Sequence, residues 1–205
     1  AGVPTPDWFA FNETAFREMG AADALGALEE RLGFPLVVKP SRGGSSLGVK
    51  FAANWFEVPE APVSAFSYDD RVLLERFVDG RELAVSVLGD EPLPVVEAIP
   101  ADGDRYDFEA RYEIGRTTFA CPADLGAAES AVVEAALGAY RALGCSGFSR
   151  VDLILAENGP QVLEVNAIPG LTDTSLLPQA AEAAGMSFER LVERILELAL
   201  EPAVA

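Results

Sequence analysis

Two short apolar segments near the C-terminal end of the chain carry polar side chains at alternate positions. The segments are Phe148–Leu155 and Gln161–Asn166, and the turn-forming sequence Glu-Asn-Gly-Pro lies between them. Short runs rich in β-branched residues on either side of a turn sequence predict a β-hairpin. Each strand carries polar residues spaced i, i+2, which places them on one face of that strand: Arg150 with Asp152, and Glu164 with Asn166.

The length of the hairpin loop decides whether these two pairs meet. A two-residue Asn158-Gly159 turn would place Asp152 opposite Val165 and send the two carboxylates to opposite faces. A three-residue loop, Glu157 to Gly159, with the glycine left-handed, is also a favoured hairpin connection. This loop places Asp152 opposite Glu164 and Arg150 opposite Asn166. We therefore predict the three-residue loop.

The spacing of apolar residues also predicts the elements in the rest of the chain. Strands are predicted at 36–39, 49–52, 71–77, 82–88 and 93–99, and helices at 21–32, 126–143, 172–184 and 187–200. Residues 54–70 resemble a poor helix interrupted by Pro59 and Pro62. Segment 100–122 is long, charged and aromatic, and we expect an ordered loop with a functional role. A strand-rich part begins near residue 72, which suggests two subdomains, 1–72 and 73–205.

The polar residues of the hairpin have a chemical meaning as a set. A charge within an apolar sheet is unfavourable unless it is paired or bound to a metal. Asp152, Glu164 and Asn166 offer only oxygen ligands, and this donor type suits Mg²⁺ that also contacts phosphates. The alternative is an ordinary salt-bridged sheet surface.

Composition excludes several classes of function. The chain has 205 residues, half of them hydrophobic, and a formal net charge of −18. This charge argues against nucleic-acid or anionic-membrane partners. Histidine is absent, so no Ser-His-Asp or Cys-His catalysis can come from this chain. Cys121 and Cys145 are too few for a disulfide framework or a zinc site, and we expect Cys145 to be a reduced core residue. The sequence starts without methionine, and we expect a piece of a longer protein.

A glycine- and serine-rich loop follows the strand at 36–39. Lys39 precedes the glycines, and the residues after Gly48 look extended, whereas a Walker loop has its lysine after the glycines and leads into a helix. We therefore expect a β-hairpin lid whose amides and serine hydroxyls cover phosphates while Lys39 reaches in, because glycine permits close backbone approach. A plain surface hairpin is the alternative.

Two glutamates follow in the next strands. Glu75 is embedded in the apolar run Leu73–Val78, and Glu82 begins the next strand seven residues later. An embedded carboxylate can accept a hydrogen bond from an exocyclic amine, and a second can accept from ribose hydroxyls. The alternative is that both glutamates are exposed charges on edge strands without a binding role.

Taken together, these motifs resemble the D-alanine–D-alanine ligases of the ATP-grasp superfamily. The resemblance rests on Gly-Val-Pro-Thr-Pro near the start, the lid motif, Leu-Leu-Glu-Arg-Phe, Tyr-Asp-Phe-Glu-Ala-Arg-Tyr, Arg-Val-Asp, Leu-Glu-Val-Asn and Pro-Gly-Leu-Thr-Asp-Thr-Ser-Leu. It implies an α+β ATP-grasp fold, in which two α+β subdomains grip the nucleotide between antiparallel sheets. In the family a further N-terminal domain orients the first D-alanine, and we expect that domain to be absent here.

The resemblance also implies a role for each matching residue. Lys39 and Ser46 would contact phosphates, Glu75 the adenine amine, Arg76 and Phe77 the ring, and Glu82 the ribose. Asp152, Glu164 and Asn166 would hold two Mg²⁺, with Mn²⁺ as a possible substitute. Arg150 and the Gly170 amide would stabilise the oxyanion, and Ser175 with the Leu176 amide would bind the carboxylate of the second D-alanine. An ordinary serine cap is the alternative for Ser175.

The charged loop would contribute two more contacts. Arg111 stands where the family commonly has lysine, which preserves charge toward the γ-phosphate but alters geometry. Tyr112 would bond the lid residue Ser45, and this tyrosine favours an amine acceptor over D-lactate.

The implied activity is ATP-dependent ligation of two D-alanines for peptidoglycan precursors, in a cytoplasmic protein that is a homodimer at full length. Competing possibilities are a D-alanine–D-lactate ligase or another ATP-grasp carboxylate ligase, and a nucleotide-binding module without turnover.

Overall fold

The computed structural model describes residues 1–18, 29–44, 46–54, 56–58, 60–100 and 117–201. These residues form two compact units. The smaller unit comprises the described part of Pro6–Val78, and the larger unit comprises Ala1–Thr5 and all described residues after Val78. The division therefore falls six residues after the expected boundary at 72/73, because the strand at 71–76 pairs within the smaller unit.

The smaller unit is built on a four-stranded antiparallel sheet with the spatial order β1-β4-β2-β3. Its strands are β1 (Trp8–Asn12), β2 (Leu36–Pro40), β3 (Lys50–Ala52) and β4 (Arg71–Arg76), and its helices are α1 (Glu13–Glu18) and α2 (Glu60–Phe66). Residues 29–32 are also helical. The sequence pattern missed β1. Among the described residues of the predicted helix at 54–70, only α2 forms. Pro62 sits in its first turn, where a missing N–H removes no helical hydrogen bond.

Alternation along β2 and β4 separates the two faces of this sheet. Leu36, Val38, Val72 and Leu74 are buried in a core with α2 and Leu32. The alternate positions, among them Lys39 and Glu75, therefore lie on the opposite face.

The larger unit contains a second antiparallel sheet, with the order β10-β9-β5-β7-β8 and a short β6 paired to β5. Its strands are β5 (Arg81–Leu88), β6 (Glu91–Pro92), β7 (Val96–Pro100), β8 (Thr117–Ala120), β9 (Phe148–Ala156) and β10 (Gly159–Asn166). A 3₁₀ turn (Gly126–Ala128) leads into α3 (Glu129–Ala142), followed later by α4 (Leu176–Ala183) and α5 (Phe188–Leu200). Within the segment expected to be mostly loop, 100–122, residues 117–120 form strand β8, and residues 101–116 lie outside the described part.

Each face of the larger sheet has its own apolar cluster. Leu83 and Val85 of β5 pack with α3, whereas Ala84 and Leu88 pack with α4 and Leu191 of α5. The face that carries α4 and α5 also carries the polar residues of β9, as described below.

Two further observations bear on the expectations from composition. Both cysteines are free, as expected, but Cys145 is only half-buried and is not a core residue. None of the helices within the described ranges is both long and apolar enough to cross a membrane.

Candidate functional site

The β9–β10 hairpin brings its four polar residues together, although by a route other than the predicted loop. Ala156 pairs with Gly159, so the connection is the two-residue turn Glu157-Asn158 and the three-residue loop was wrong. A β-bulge between Val162 and Glu164 then adds one residue to β10 and shifts the register.

Beyond the bulge, the predicted pairing is confirmed. Asp152 lies opposite Glu164, and Arg150 lies opposite Asn166. On the other side of β9, Ala84 and Ser86 of β5 lie opposite Asp152 and Arg150. Directly opposed residues share a face, so two rows of side chains run across three strands on one face of the sheet.

Arg150 and Asp152 form a bidentate ion pair along β9. The guanidinium Nε and Nη2 each donate to one carboxylate oxygen of Asp152, both at 2.6 Å. Arg150 is only 8% exposed, so the carboxylate compensates a largely desolvated charge. Glu164 is exposed, and the Asn166 side-chain oxygen accepts from the backbone N–H of Ile168 at 3.2 Å.

The donor chemistry of this face fits a hard divalent cation. Two carboxylates and one amide oxygen share the face, and carboxylate oxygens can accept from Arg150 while still offering lone pairs to a metal. Within the described ranges, no group of three or more His, Cys, Asp and Glu side chains converges as a metal cluster. The candidate set has only two such residues, so the remaining ligands would come from Asn166, phosphates and water.

Glu82 lies on the same face of the sheet. It opposes Ile154 of β9 and Ala98 of β7, two residues from the row of Asp152. Its neighbour Arg81 points to the other face, where its Nε donates to Glu97 at 2.7 Å, and this hydrogen bonding raises the pKa of the Arg81 guanidinium. The pair anchors the start of β5 to β7.

Gly170, Ser175 and Leu176 meet at the start of α4. Ser175 is the N-cap residue, but its side chain makes no capping hydrogen bond to α4. Its hydroxyl instead accepts from the backbone N–H of Thr172 at 3.2 Å. A Cβ on Gly170 would lie 2.7 Å from that hydroxyl, so only glycine fits this approach. The ordinary serine-cap alternative is thus not what the structure shows.

In the smaller unit, Lys39 and Glu75 contact each other. Glu75 opposes Val37, so Lys39 is its diagonal neighbour on the same face. The Lys39 ammonium lies 2.7 Å from a Glu75 carboxylate oxygen, and Glu75 is 7% exposed. The sequence placed both residues in a nucleotide site but did not predict their ion pair.

The loop after Lys39 joins β2 to β3 as an antiparallel hairpin, as expected. Ser46 has a φ of 56°, which is unfavourable for a residue with a side chain and often marks functional loops. A Cβ on Gly48 would lie 2.6 Å from the Tyr68 ring. Ser45, Arg111 and Tyr112 lie outside the described residues.

Arg76, the last residue of β4, and Phe77, which follows it, have different surroundings. The Arg76 guanidinium donates to the Arg31 carbonyl at 2.6 Å and to Asp7 at 3.1 Å. The Phe77 ring packs edge-on against Phe51 at 6.0 Å between centroids. Phe51 opposes Val37 and so shares the face of Lys39.

Sequence reasoning missed two residues beside these groups. Trp8 of β1 opposes Glu75 and is half exposed, which gives this face an aromatic surface. Ser86 is fully buried in the row of Arg150, and its hydroxyl has no hydrogen-bond partner in the part of the chain that the structure describes. Only the strand pairing identifies either one, because neither belongs to a polar motif.

The two antiparallel sheets with their helices match ATP-grasp structures. The chain belongs to the D-alanine–D-alanine ligases: the family model described as "D-ala D-ala ligase C-terminus" matches residues 1–197. It is 46% identical over 204 residues to a D-alanine–D-alanine ligase of Synechococcus sp. (strain JA-3-3Ab), covering 98% of this chain and 61% of that protein.

Solved structures give the same assignment. A D-alanine–D-alanine ligase from Bacillus anthracis superposes with a TM-score of 0.82 at 36% identity, covering 97% of this chain and 63% of that one. A structure of a Bacillus anthracis ligase complexed with ATP gives 0.80 at 33% identity, covering 97% and 61%. The chain therefore spans about three fifths of the length of these relatives.

Proposed function

We propose that this chain supplies the nucleotide, metal and acceptor sites of an enzyme that ligates two D-alanines at the expense of ATP. One observation carries the proposal. Two opposed pairs, Arg150 with Asn166 and Asp152 with Glu164, lie on one face of the larger sheet. The chain that carries them belongs to this family.

In the larger unit, Asp152, Glu164 and Asn166 would hold two Mg²⁺, with Mn²⁺ as a substitute. When bound, the metal neutralises phosphate charge and fixes the orientation of the phosphates. Arg150 is held in place by its two hydrogen bonds to Asp152, and a charge fixed in advance is what stabilisation of a developing oxyanion requires. Glu82 accepts from the ribose hydroxyls.

In the smaller unit, Lys39 and Ser46 bind the phosphates. Glu75 accepts from the adenine amine, while the backbone of Arg76 and the ring of Phe77 border the base. The edge-on packing of Phe77 against Phe51 supports this assignment, since it fixes an aromatic wall beside Glu75. The family resemblance assigns Arg111 to the γ-phosphate and Tyr112 to a bond with Ser45.

The start of α4 binds the carboxylate of the second D-alanine. The Ser175 side chain makes no capping hydrogen bond to α4, so it does not compete with an anion for the first amides of the helix, where the helix dipole also favours negative charge. The Ser175 hydroxyl and the Leu176 amide make this contact, and the Gly170 amide faces the oxyanion.

The reaction proceeds in two steps. The carboxylate of the first D-alanine attacks the γ-phosphorus of ATP, which forms an acyl phosphate and releases ADP. The amine of the second D-alanine then attacks the acyl carbon, and the tetrahedral intermediate expels phosphate and loses a proton to give the dipeptide. Arg150 and the Gly170 amide stabilise the oxyanion, so this chain contributes position and charge without a covalent nucleophile.

A matched pair of variants tests the proposal. Glu164→Gln should weaken Mg²⁺-dependent ADP binding and dipeptide formation by at least about tenfold, because metal ligands carry such effects. Glu157→Gln removes the same charge from the turn of the same hairpin and should change neither. Calorimetry with Mg·ADP and chromatographic detection of D-alanyl-D-alanine measure the two properties.

The competing functions are separate outcomes of this experiment. Mg·ADP binding without ligation would identify a nucleotide-binding module, and preferential use of D-lactate would identify a depsipeptide ligase. Absence of Mg²⁺-dependent ADP binding would refute the proposal. We further propose that the full-length enzyme is cytoplasmic and homodimeric. Light scattering of that enzyme would test the dimer.

A further inference from the structure

The ion pair between Lys39 and Glu75 joins two groups that the proposed function assigns to opposite ends of a nucleotide. Their charged atoms are 2.7 Å apart, and their side chains are only 18% and 10% exposed. Without ligand, each of these two largely buried charges is therefore compensated by the other.

We infer that this pair couples recognition of the base to recognition of the phosphates, so that Glu75 is a specificity-determining residue for the whole nucleotide. The inference rests on the proposed function. A triphosphate that attracts Lys39 draws it away from Glu75. This leaves a largely buried carboxylate without its counter-charge, which is strongly unfavourable.

An adenine amine changes this balance. When the amine donates a hydrogen bond to Glu75, it compensates part of the lost ion pair, so the release of Lys39 becomes less unfavourable. Ligands that carry phosphates but no amine do not receive this compensation. Binding of the base and binding of the phosphates are therefore cooperative. By linkage, each raises the affinity for the other by the same factor.

The test uses the two halves of the ligand separately. Inorganic triphosphate binding is measured by calorimetry with Mg²⁺ at pH 8, in the unchanged chain and in Glu75→Gln. We expect Glu75→Gln to raise triphosphate affinity by about tenfold, within the usual range of such coupling, because Lys39 is released in advance. Glu60→Gln, an exposed position of the same unit, controls for the loss of one negative charge.

The reciprocal variant gives an independent result. Lys39→Gln should lose triphosphate affinity but raise adenosine affinity by about tenfold, since the amine then meets a carboxylate without its lysine. The unfolding midpoint of each variant confirms folding, and this arm decides the matter if Glu75→Gln does not fold.

The outcomes separate this inference from the proposed function. If the unchanged chain does not bind ATP, both are wrong. If it binds ATP while Glu75→Gln and Glu60→Gln bind triphosphate equally, or while Lys39→Gln does not gain adenosine affinity, the coupling is wrong and the nucleotide site stands.

Discussion

At the residue scale, Asp152 and Glu164 face each other but have different surroundings. Asp152 holds the guanidinium of Arg150 through two hydrogen bonds, whereas Glu164 is exposed. We therefore expect Asp152 to contribute to folding as well as to the proposed metal site, and Glu164 to contribute mainly to the proposed metal site.

This difference predicts a separation of stability from metal binding. Asp152→Asn should lower the free energy of unfolding by about 3 kcal/mol, because it removes the charge that compensates the buried Arg150. Glu164→Gln should change it by less than about 0.5 kcal/mol, as exposed substitutions usually do. Urea unfolding without metal measures both values, and equal losses would contradict the assignment.

Lys39 and Arg42 provide a second comparison between residues. Lys39 lies on β2 behind the loop, whereas Arg42 is exposed on the loop itself. Lys39→Ala should weaken Mg·ATP binding by about 10-fold or more, as expected for loss of a charged hydrogen bond, and Arg42→Ala by far less. Calorimetric titration compares them, and similar losses would argue against Lys39 as the phosphate ligand.

At the scale of elements, the start of β5 is set by a close approach of backbones. A Cβ on Gly80 would lie much closer to the carbonyl oxygen of Leu155 on β9 than van der Waals contact allows, so the two backbone segments would have to move apart. Gly44, in contrast, has open space around it.

Gly80→Ala should therefore destabilise the fold by about 1–3 kcal/mol, the usual range for overpacking. Gly44→Ala should be nearly neutral for stability. Thermal unfolding of the two variants tests this contrast, and a neutral Gly80→Ala would show that β5 and β9 can separate without loss.

The helix ends give a prediction that also belongs to this scale. Ser187 caps α5 by accepting from the Arg190 N–H at 3.3 Å. Ser187→Ala should cost about 1 kcal/mol of stability through the lost cap, without any effect on ligand binding. Denaturant unfolding and Mg·ADP titration of the same sample check both parts, and weaker ADP binding would contradict the separation.

At the scale of the whole molecule, the chain matches 61% of its Synechococcus relative. The proposed groups for phosphates, metal and acceptor all lie within that part. Positioning of reactants is worth roughly 7–11 kcal/mol in such reactions, and the Synechococcus ligase has further residues beyond the matched part.

We therefore expect the 205-residue chain to bind Mg·ADP but to form D-alanyl-D-alanine much more slowly than the full-length Synechococcus ligase. Parallel assays at equal concentrations of ATP and D-alanine measure the ratio of rates. Equal rates would show that the matched part alone positions the first substrate.

The sequence by itself determined most of the elements and the chemistry of the candidate groups. Strands β2, β4, β5, β9 and β10 and helices α3 and α5 follow directly from apolar spacing, because local periodicity reports which face is buried. The motifs also identified the family, since they carry residue types that the chemistry requires at set spacings.

Only the tertiary structure decided how these groups meet. The sequence predicted the wrong turn for the β9–β10 hairpin, and the bulge before Glu164 restored the predicted pairing. Local sequence does not predict such a bulge, because it depends on contacts with other segments, such as the hydrogen bond from the Val162 N–H to the Pro4 carbonyl. The Lys39–Glu75 pair joins strands distant in sequence, and no local pattern encodes such a contact. Local spacing determines faces, whereas strand register and long-range packing determine which side chains come within reach of one another.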